Sequence, residues 1–323
     1  MRLGSSVVDS LPPVAAQALR KSLGCPGPRT IALEDLDDEL ARGAALFSTS
    51  QDEARAFLES LRIELPKDRP DDPFSGAYRE WTWEIYRKLS GRAHYSIANE
   101  ASPFDLPQAI LRPFPFETGS AAIVGEDLVA RGHLMRCIGE PSGGLIPPAR
   151  LVEFGPGWGN LTSDLVSTGF VVTAVEVEKQ FCQLLRERCP QPSKLTVVET
   201  DMLGFTTAEP FAAAIFFESF HHCSDHLAML EGLHDIVAPG GKIFFACEPI
   251  QKMDYPWGPR LDGMSAWSTR SYGWLELGFD AKYFEMALAR TGWKSERRQI
   301  AARWNRADVV VATADPTWHK PIK

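Results

Sequence analysis

The spacing of apolar positions changes character once along the chain, near residue 149. Before it, apolar residues recur every three or four positions between turn-forming stretches. EDLDDELARGAALF (34–47) and DEARAFLESLRI (52–63) carry this period with acids near their starts, as expected of helices whose N-terminal partial positive charge favours carboxylates. The prolines and glycine of LPKDRPDDPFSG (65–76) predict a linker. YREWTWEIYRKLSG (78–91) predicts a further helix crowded with Tyr78, Trp81, Trp83 and Tyr86, either an aromatic face packed on a core or a lid over a substrate. FETGSAAIVGEDLVARGHLMRCIGEPSGG (116–144) supplies another amphipathic helix, ended by proline and glycine.

From Ala149 onward, short apolar runs alternate with helical stretches. The strand candidates are 149–155, 170–177, 194–200, 211–219, 241–249, 295–302 and 307–314. Near-continuous apolar strands separated by helices imply a largely parallel sheet covered on both faces. Only Arg303 to Arg306 join the last two strands, too few for the crossover that a parallel pair requires, so these two are expected to be antiparallel. The pattern predicts an α/β fold: a seven-stranded, mostly parallel sheet with an antiparallel last strand, preceded by a helical N-terminal extension. The expected division is a helical region over 1–115 and the sheet domain over 116–323.

Composition narrows the class. The chain is 44% hydrophobic and 24% charged, as in ordinary globular proteins. Its net charge of -8 is concentrated between Ile31 and Ser75, where twelve acids face five bases. A nucleic-acid binder would present a basic face instead, so no nucleic-acid partner is expected. Cysteines at 25, 137, 182, 189, 223 and 247 form no CxxC pair, which suits reduced thiols in a cytoplasmic protein. No signal sequence and no apolar run of about 20 residues is present, so no membrane partner is expected.

The first strand of the sheet runs into VEFGPGWGN (152–160), with glycines at every second position. Glycine weakens regular structure by roughly 0.5–1 kcal/mol relative to alanine, so three in five positions point to a turn with unusual torsions or a close ligand. A dinucleotide would ask for GxGxxG, but Asn160 stands where the third glycine belongs. That spacing counts against NAD.

With these residues the chain resembles the class I, Rossmann-like methyltransferases that use S-adenosylmethionine (SAM). Their first motif is an acid followed by GxGxG, matched by Glu153, Gly155, Gly157 and Gly159. The resemblance implies that Glu176, ending the second strand, grips the ribose hydroxyls, with Glu178 as the fallback in another register. A carboxylate can accept from two vicinal hydroxyls at once. It further implies that Asp201 accepts the adenine amino group, with Met202 against the ring. FFESFHHCSDH (216–226) and VAPGGKIFFACEP (237–249) resemble the family's segments around strands four and five.

The resemblance puts the methyl acceptor above the ends of strands four and five, which makes Glu218, His221, His222 and His226 candidates. A histidine with pKa near 6.5 could take an acceptor proton, although paired histidines there can equally be structural. HHCSDH lacks a recognised ligand spacing, so no metal is expected. An insertion after strand five (251–278) is rich in aromatics and holds Trp257, Arg260, Arg270 and Tyr272. Loops at the carboxyl ends of parallel strands bind ligands in open α/β sheets, so these four residues and the aromatic helix are expected to form the acceptor pocket. The NPPY-type motif of many methyltransferases acting on amino groups of nucleic acid or glutamine is replaced by ESFH. The expected acceptor is therefore a small molecule, with a hydroxyl on a sugar or natural-product scaffold preferred. A non-catalytic SAM-binding sensor or partner subunit and a protein methyltransferase are the alternatives, and a homodimer is a candidate state.

Overall fold

A computed structural model describes residues 27–101, 103–111, 121–140, 144–300 and 307–318. Within it the apolar runs after residue 149 become β1 (Arg150–Phe154), β2 (Val171–Glu176), β3 (Leu195–Glu199), β4 (Phe211–Phe217), β5 (Val237–Ala246), β6 (Trp293–Arg298) and β7 (Val309–Ala314). They pair in the order β6-β7-β5-β4-β1-β2-β3. The pairs among β1 to β5 are parallel, while β7 runs antiparallel to both β5 and β6. This is the expected seven-stranded Rossmann-like sheet with its antiparallel last strand. The β6–β7 link (301–306) lies outside the described residues. Strand β5 starts earlier than its apolar run, because Val237 pairs with Phe211 before a register shift between Phe211 and Ala213.

Both faces of the sheet are apolar because helices cover both. Leu134 and Ile138 of the helix Ala121–Ile138, with Leu161, Leu165 and Val166 of Asn160–Ser167, pack against Leu151, Val172, Ala213 and Ile215. Elsewhere Phe216 stacks between Phe154 and Phe245 at 5.0 and 5.3 Å, and Phe220 meets Phe216 and Phe245 edge-on. Each such ring contributes about 1.5–3 kcal/mol by leaving water. This packing fixes the carboxyl ends of β1, β4 and β5 side by side, where Phe154 pairs with Phe216 and Phe217 with Ala246.

The chain falls into two compact units: the described residues up to Asn99 with Trp257–Gly278, and Glu100–Pro256 with the described residues from Phe279 onward. The expected boundary at 115/116 lies outside the described residues. In the first unit, helices Leu36–Phe47, Gln51–Ser60, Gly76–Ser90 and Gly263–Tyr272 form as local signals dictate. The Ser50, Ser75 and Asp262 side chains accept the N–H groups of Glu53, Tyr78 and Ser265, each capping a helix start. The helix expected over 52–63 stops at Ser60. Leu61–Ile63 is instead a strand parallel to Arg29–Ile31, with Leu61 and Ile63 buried and Arg62 exposed, the alternation that a half-buried strand needs.

The insertion packs on the aromatic helix within this unit. Tyr78 and Tyr86 are fully buried, and their hydroxyls donate to the carbonyls of Trp257 (2.9 Å) and Gly273 (2.7 Å). Trp81 is also buried. The core-packing alternative therefore describes Tyr78, Trp81 and Tyr86. Tyr78→Phe removes the donor to a buried carbonyl and is expected to cost about 1–2 kcal/mol in urea unfolding of this unit, with an unchanged far-ultraviolet circular dichroism spectrum.

Candidate functional site

At the end of β1 the chain turns through Gly155, Gly157 and Gly159 with φ of 63, 50 and 76°. All three are left-handed, so any side chain there is strained. Their surroundings differ. A Cβ on Gly155 would lie 2.7 Å from Ser219 Cβ, and one on Gly159 would lie 2.5 Å from Leu185 Cδ2. A Cβ on Gly157 would meet nothing within 4 Å. A side chain at Gly155 would thus collide with Ser219 Cβ and one at Gly159 with the movable tip of Leu185, whereas the middle glycine faces open space. The turn then feeds the uncapped N-terminus of Asn160–Ser167.

Glu176 ends β2 beside this turn. Its carboxylate accepts the N–H of Gly157 (3.0 Å) and of Glu178 (2.9 Å), and it is 6% exposed. Burial pushes its pKa up, and the backbone donors oppose that shift. Glu178 instead caps the next helix, accepting from Gln180 N. Glu153 lies behind the turn, 1% exposed, where it accepts the Thr162 hydroxyl at 2.6 Å. Burial, assisted by the charges of Asp164 and Glu176, raises its pKa to about 7. Asp201 accepts from Leu203 N and Gly204 N through one oxygen, and the Met202 methyl sits 3.3 Å from the Cβ position of Gly155. The structure therefore gathers Gly155, Gly157, Gly159, Glu176 and Met202 around one turn. Glu153 is enclosed beneath it.

The ends of β4 and β5 make the adjoining part of the edge. Glu218 and Cys247, the first residues after these strands, adopt φ of 53 and 57°, rare for residues other than glycine. Between them the buried Glu248 carboxylate accepts Ser219 N and Phe220 N at 2.8 Å and His221 N at 3.2 Å, and lies 2.7 Å from His221 Nδ1. Burial raises its pKa, but His221 and the backbone donors outweigh that and hold it below the usual carboxylate range. The Ser219 hydroxyl donates to Phe154 O at 2.6 Å, tying this turn to the end of β1. The rings of His221 and His222 are 4.2 Å apart. His222 Nδ1 lies 3.0 Å from the Glu100 carboxylate.

His226 is placed differently from its neighbours: it opens the helix His226–Ile236, is 3% exposed, and lies 2.6 Å from the Tyr283 hydroxyl. In the first unit Arg270 donates to the carbonyls of Leu89 and Lys88 and pairs with Asp37. Arg260 pairs with Asp262 and Glu276, and the Trp257 indole donates to Pro73 O. Tyr272 is 48% exposed and stacks on Trp274. Sequence reasoning missed Glu248, Ser219 and Glu100. The signal for Glu248 was an acid embedded in an apolar strand end, FFACEP.

Residues 151–241 match a family model described as a methyltransferase domain. An uncharacterised methyltransferase of Oceanobacillus iheyensis is 26% identical over 99 residues, covering 30% of this chain and 45% of that protein. One from Bacillus thuringiensis is 29% identical over the same shares. The chain thus spans less than half the length of these curated relatives. Among solved structures, the N-methyltransferase NodS from Bradyrhizobium japonicum, in complex with S-adenosyl-L-homocysteine, is 19% identical with a TM-score of 0.45, covering 65% of this chain and 96% of its own. Residues 151–241 are thus similar to methyltransferase domains and lie within the seven-stranded Rossmann-like sheet described above. The five described cysteines carry free thiols, and Cys25 lies outside the described residues. No described helix is long and apolar enough to cross a membrane.

The raised pKa of Glu153 has a sign that can be measured. Its folded value of about 7 exceeds the ordinary 4.5, so its contribution is complete below pH 4.5 and is lost as pH rises towards 7. Glu153→Gln retains an acceptor for Thr162 and is expected to flatten that fall, by up to about 3 kcal/mol, when urea midpoints are compared from pH 4.5 to 8.

Proposed function

We propose that the chain is a SAM-dependent methyltransferase acting on a small-molecule acceptor, with a hydroxyl of a sugar or natural-product type compound preferred. The observation that carries the reading is the open space at Gly157 beside the Glu176 carboxylate. A left-handed glycine with no protein atom near its Cβ position admits a close ligand, and the acid bonded to its N–H retains lone pairs for vicinal hydroxyls. The donor set suits SAM: Glu176 for the ribose, the second oxygen of Asp201 for the adenine amine, and Met202 for the ring face. When bound, SAM supplies a sulfonium-activated methyl group. The protein then has to align the acceptor and receive its proton, for which His221, His222 and Glu218 at the ends of β4 and β5 are the proposed groups.

Acceptor recognition is proposed to draw on the unit that holds the insertion. Trp257 and Arg270 already bind backbone carbonyls of that unit, and Arg260 is salt-bridged within it. Among the four residues expected to touch the acceptor, half-exposed Tyr272 is therefore the proposed contact. The acidic balance of the chain and the absence of an NPPY-type motif support a small molecule over nucleic acid.

The test is incubation of purified protein with methyl-labelled SAM and a size-fractionated extract. Label is expected in the small-molecule pool. Label on macromolecules would move the acceptor to protein, and SAM binding without transfer to any fraction would favour a sensor or partner subunit.

Variants of the turn test the cofactor site. Gly157→Ala meets no protein atom, so it is expected to cost only about 1–2 kcal/mol of stability while weakening SAM binding at least about tenfold by calorimetry. Gly155→Ala must also displace Ser219 and is expected to destabilise the fold further. Equal SAM affinity in Gly157→Ala and the parent protein would overturn this site.

A further inference from the structure

The glycine turn carries one large side chain, and that side chain is gripped by residues outside the turn. Of residues 155–159 only Pro156 and Trp158 are not glycine. Glycine loses the most backbone freedom on ordering, so a turn built on three of them keeps one shape only where something holds it. The Trp158 ring lies 4.9 Å from Phe104 and 5.0 Å from Phe181, and those two rings are 4.7 Å apart. Phe181 sits in the first turn of the helix Lys179–Arg188, which follows the β2 acid Glu176. Phe104 comes from the chain ahead of the sheet, just before the short helix Leu106–Leu111, which packs on the same Lys179–Arg188 helix.

Phe104 is itself clasped. The Gln180 side-chain amide accepts the N–H of Phe104 at 3.0 Å and donates to its carbonyl at 3.1 Å. One side chain thus pairs both backbone groups of a single residue, as a neighbouring strand would. Gln180 is set in turn by Glu178, whose carboxylate accepts Gln180 N at 2.9 Å, while Glu178 N donates to Glu176 at 2.9 Å. Contacts therefore run without a break from Glu176 through Glu178 and Gln180 to Phe104, and from the Phe104 ring through Trp158 back to the turn. We propose that Gln180 and Phe104 are positioning residues of the cofactor site: Gln180 holds the Phe104 backbone, the Phe104 ring holds Trp158, and the turn at Gly157 is thereby ordered before the cofactor arrives. This rests on the SAM-dependent reading above. The effect is exerted on the free protein, because a turn already in its binding shape spares the ligand the cost of ordering it. Trp158 can be held without filling the slot, since the space at Gly157 stays open.

Hydrogen–deuterium exchange of the protein without SAM, read on peptides covering residues 152–160, tests the clasp, and SAM affinity by calorimetry tests its consequence. Gln180→Ala and Phe104→Ala are each expected to speed exchange across that peptide at least about fivefold. Each is expected to weaken SAM binding about five- to twentyfold. Because both act through one contact, the double variant is expected to lose little more than Phe104→Ala alone. Phe104→Tyr keeps the ring and is expected to stay within about twofold of the parent on both readouts. Parent-like exchange or a parent-like SAM Kd in Gln180→Ala would overturn the proposal. So would losses that add in full in the double variant, or a loss in Phe104→Tyr equal to that in Phe104→Ala. A parent protein that binds no SAM sinks the underlying reading, and exchange in the unliganded protein still decides whether the clasp orders the turn.

Discussion

Parallel strands deliver their chains to one edge of the sheet, and there each chain must turn without leaving buried N–H or C=O groups unpaired. Here the three central strands meet that constraint in the same way. Gly155, Glu218 and Cys247 each directly follow their strand and each takes a left-handed backbone. The turns are then tied to one another: Gly155 N to Val175 O, Glu218 N to Ala246 O, and the Ser219 hydroxyl to Phe154 O. The candidate site is the surface these bonds create. Because it rests on the register of β1, β4 and β5, the stacked Phe154, Phe216 and Phe245 that hold that register also hold the site.

The parts of this arrangement readable in the sequence were those with a one-to-one relation between residue type and conformation. Glycine tolerates φ near +60° freely, so GPGWG announced its turn, and Val-, Ile- and Phe-rich runs of strand length announced a sheet covered on both faces. Glu218 and Cys247 adopt the same backbone without the residue type that advertises it, and nothing in ESFHH or ACEP marks them. Glu248 escaped notice for a related reason. Its partners are mostly backbone N–H groups in the turn that follows another strand, which depend on register and not on sequence spacing.

Short-range pattern also misjudged Leu61–Ile63, where the helical period of the preceding residues runs on through an apolar-charged-apolar triplet. Pairing with Arg29–Ile31, about thirty residues earlier, decides for strand over helix. Arg260 and Arg270 show the converse limit. Arginines in an aromatic insertion suggest anion binding, yet Arg270 satisfies the last carbonyls of the helix Gly76–Ser90, and Arg260 balances the partly exposed acid Asp262.

Three buried acids share the sheet edge, and their partners order their charges. Glu153 receives one hydroxyl in a site that burial makes costly for charge, so its pKa rises to about 7 and it approaches neutrality under the turn. Glu176 receives backbone N–H groups from the turn itself, which oppose burial without overcoming it. Glu248 receives three N–H groups and an imidazole, and stays ionised despite equal burial. Donor number therefore separates Glu248, held below the usual carboxylate range, from Glu153 and Glu176, both pushed above it. Of the two acids pushed up, Glu176 is the one beside open space. A ligand hydroxyl bonded there would add what the protein lacks, so ligand binding and ionisation of Glu176 should reinforce each other.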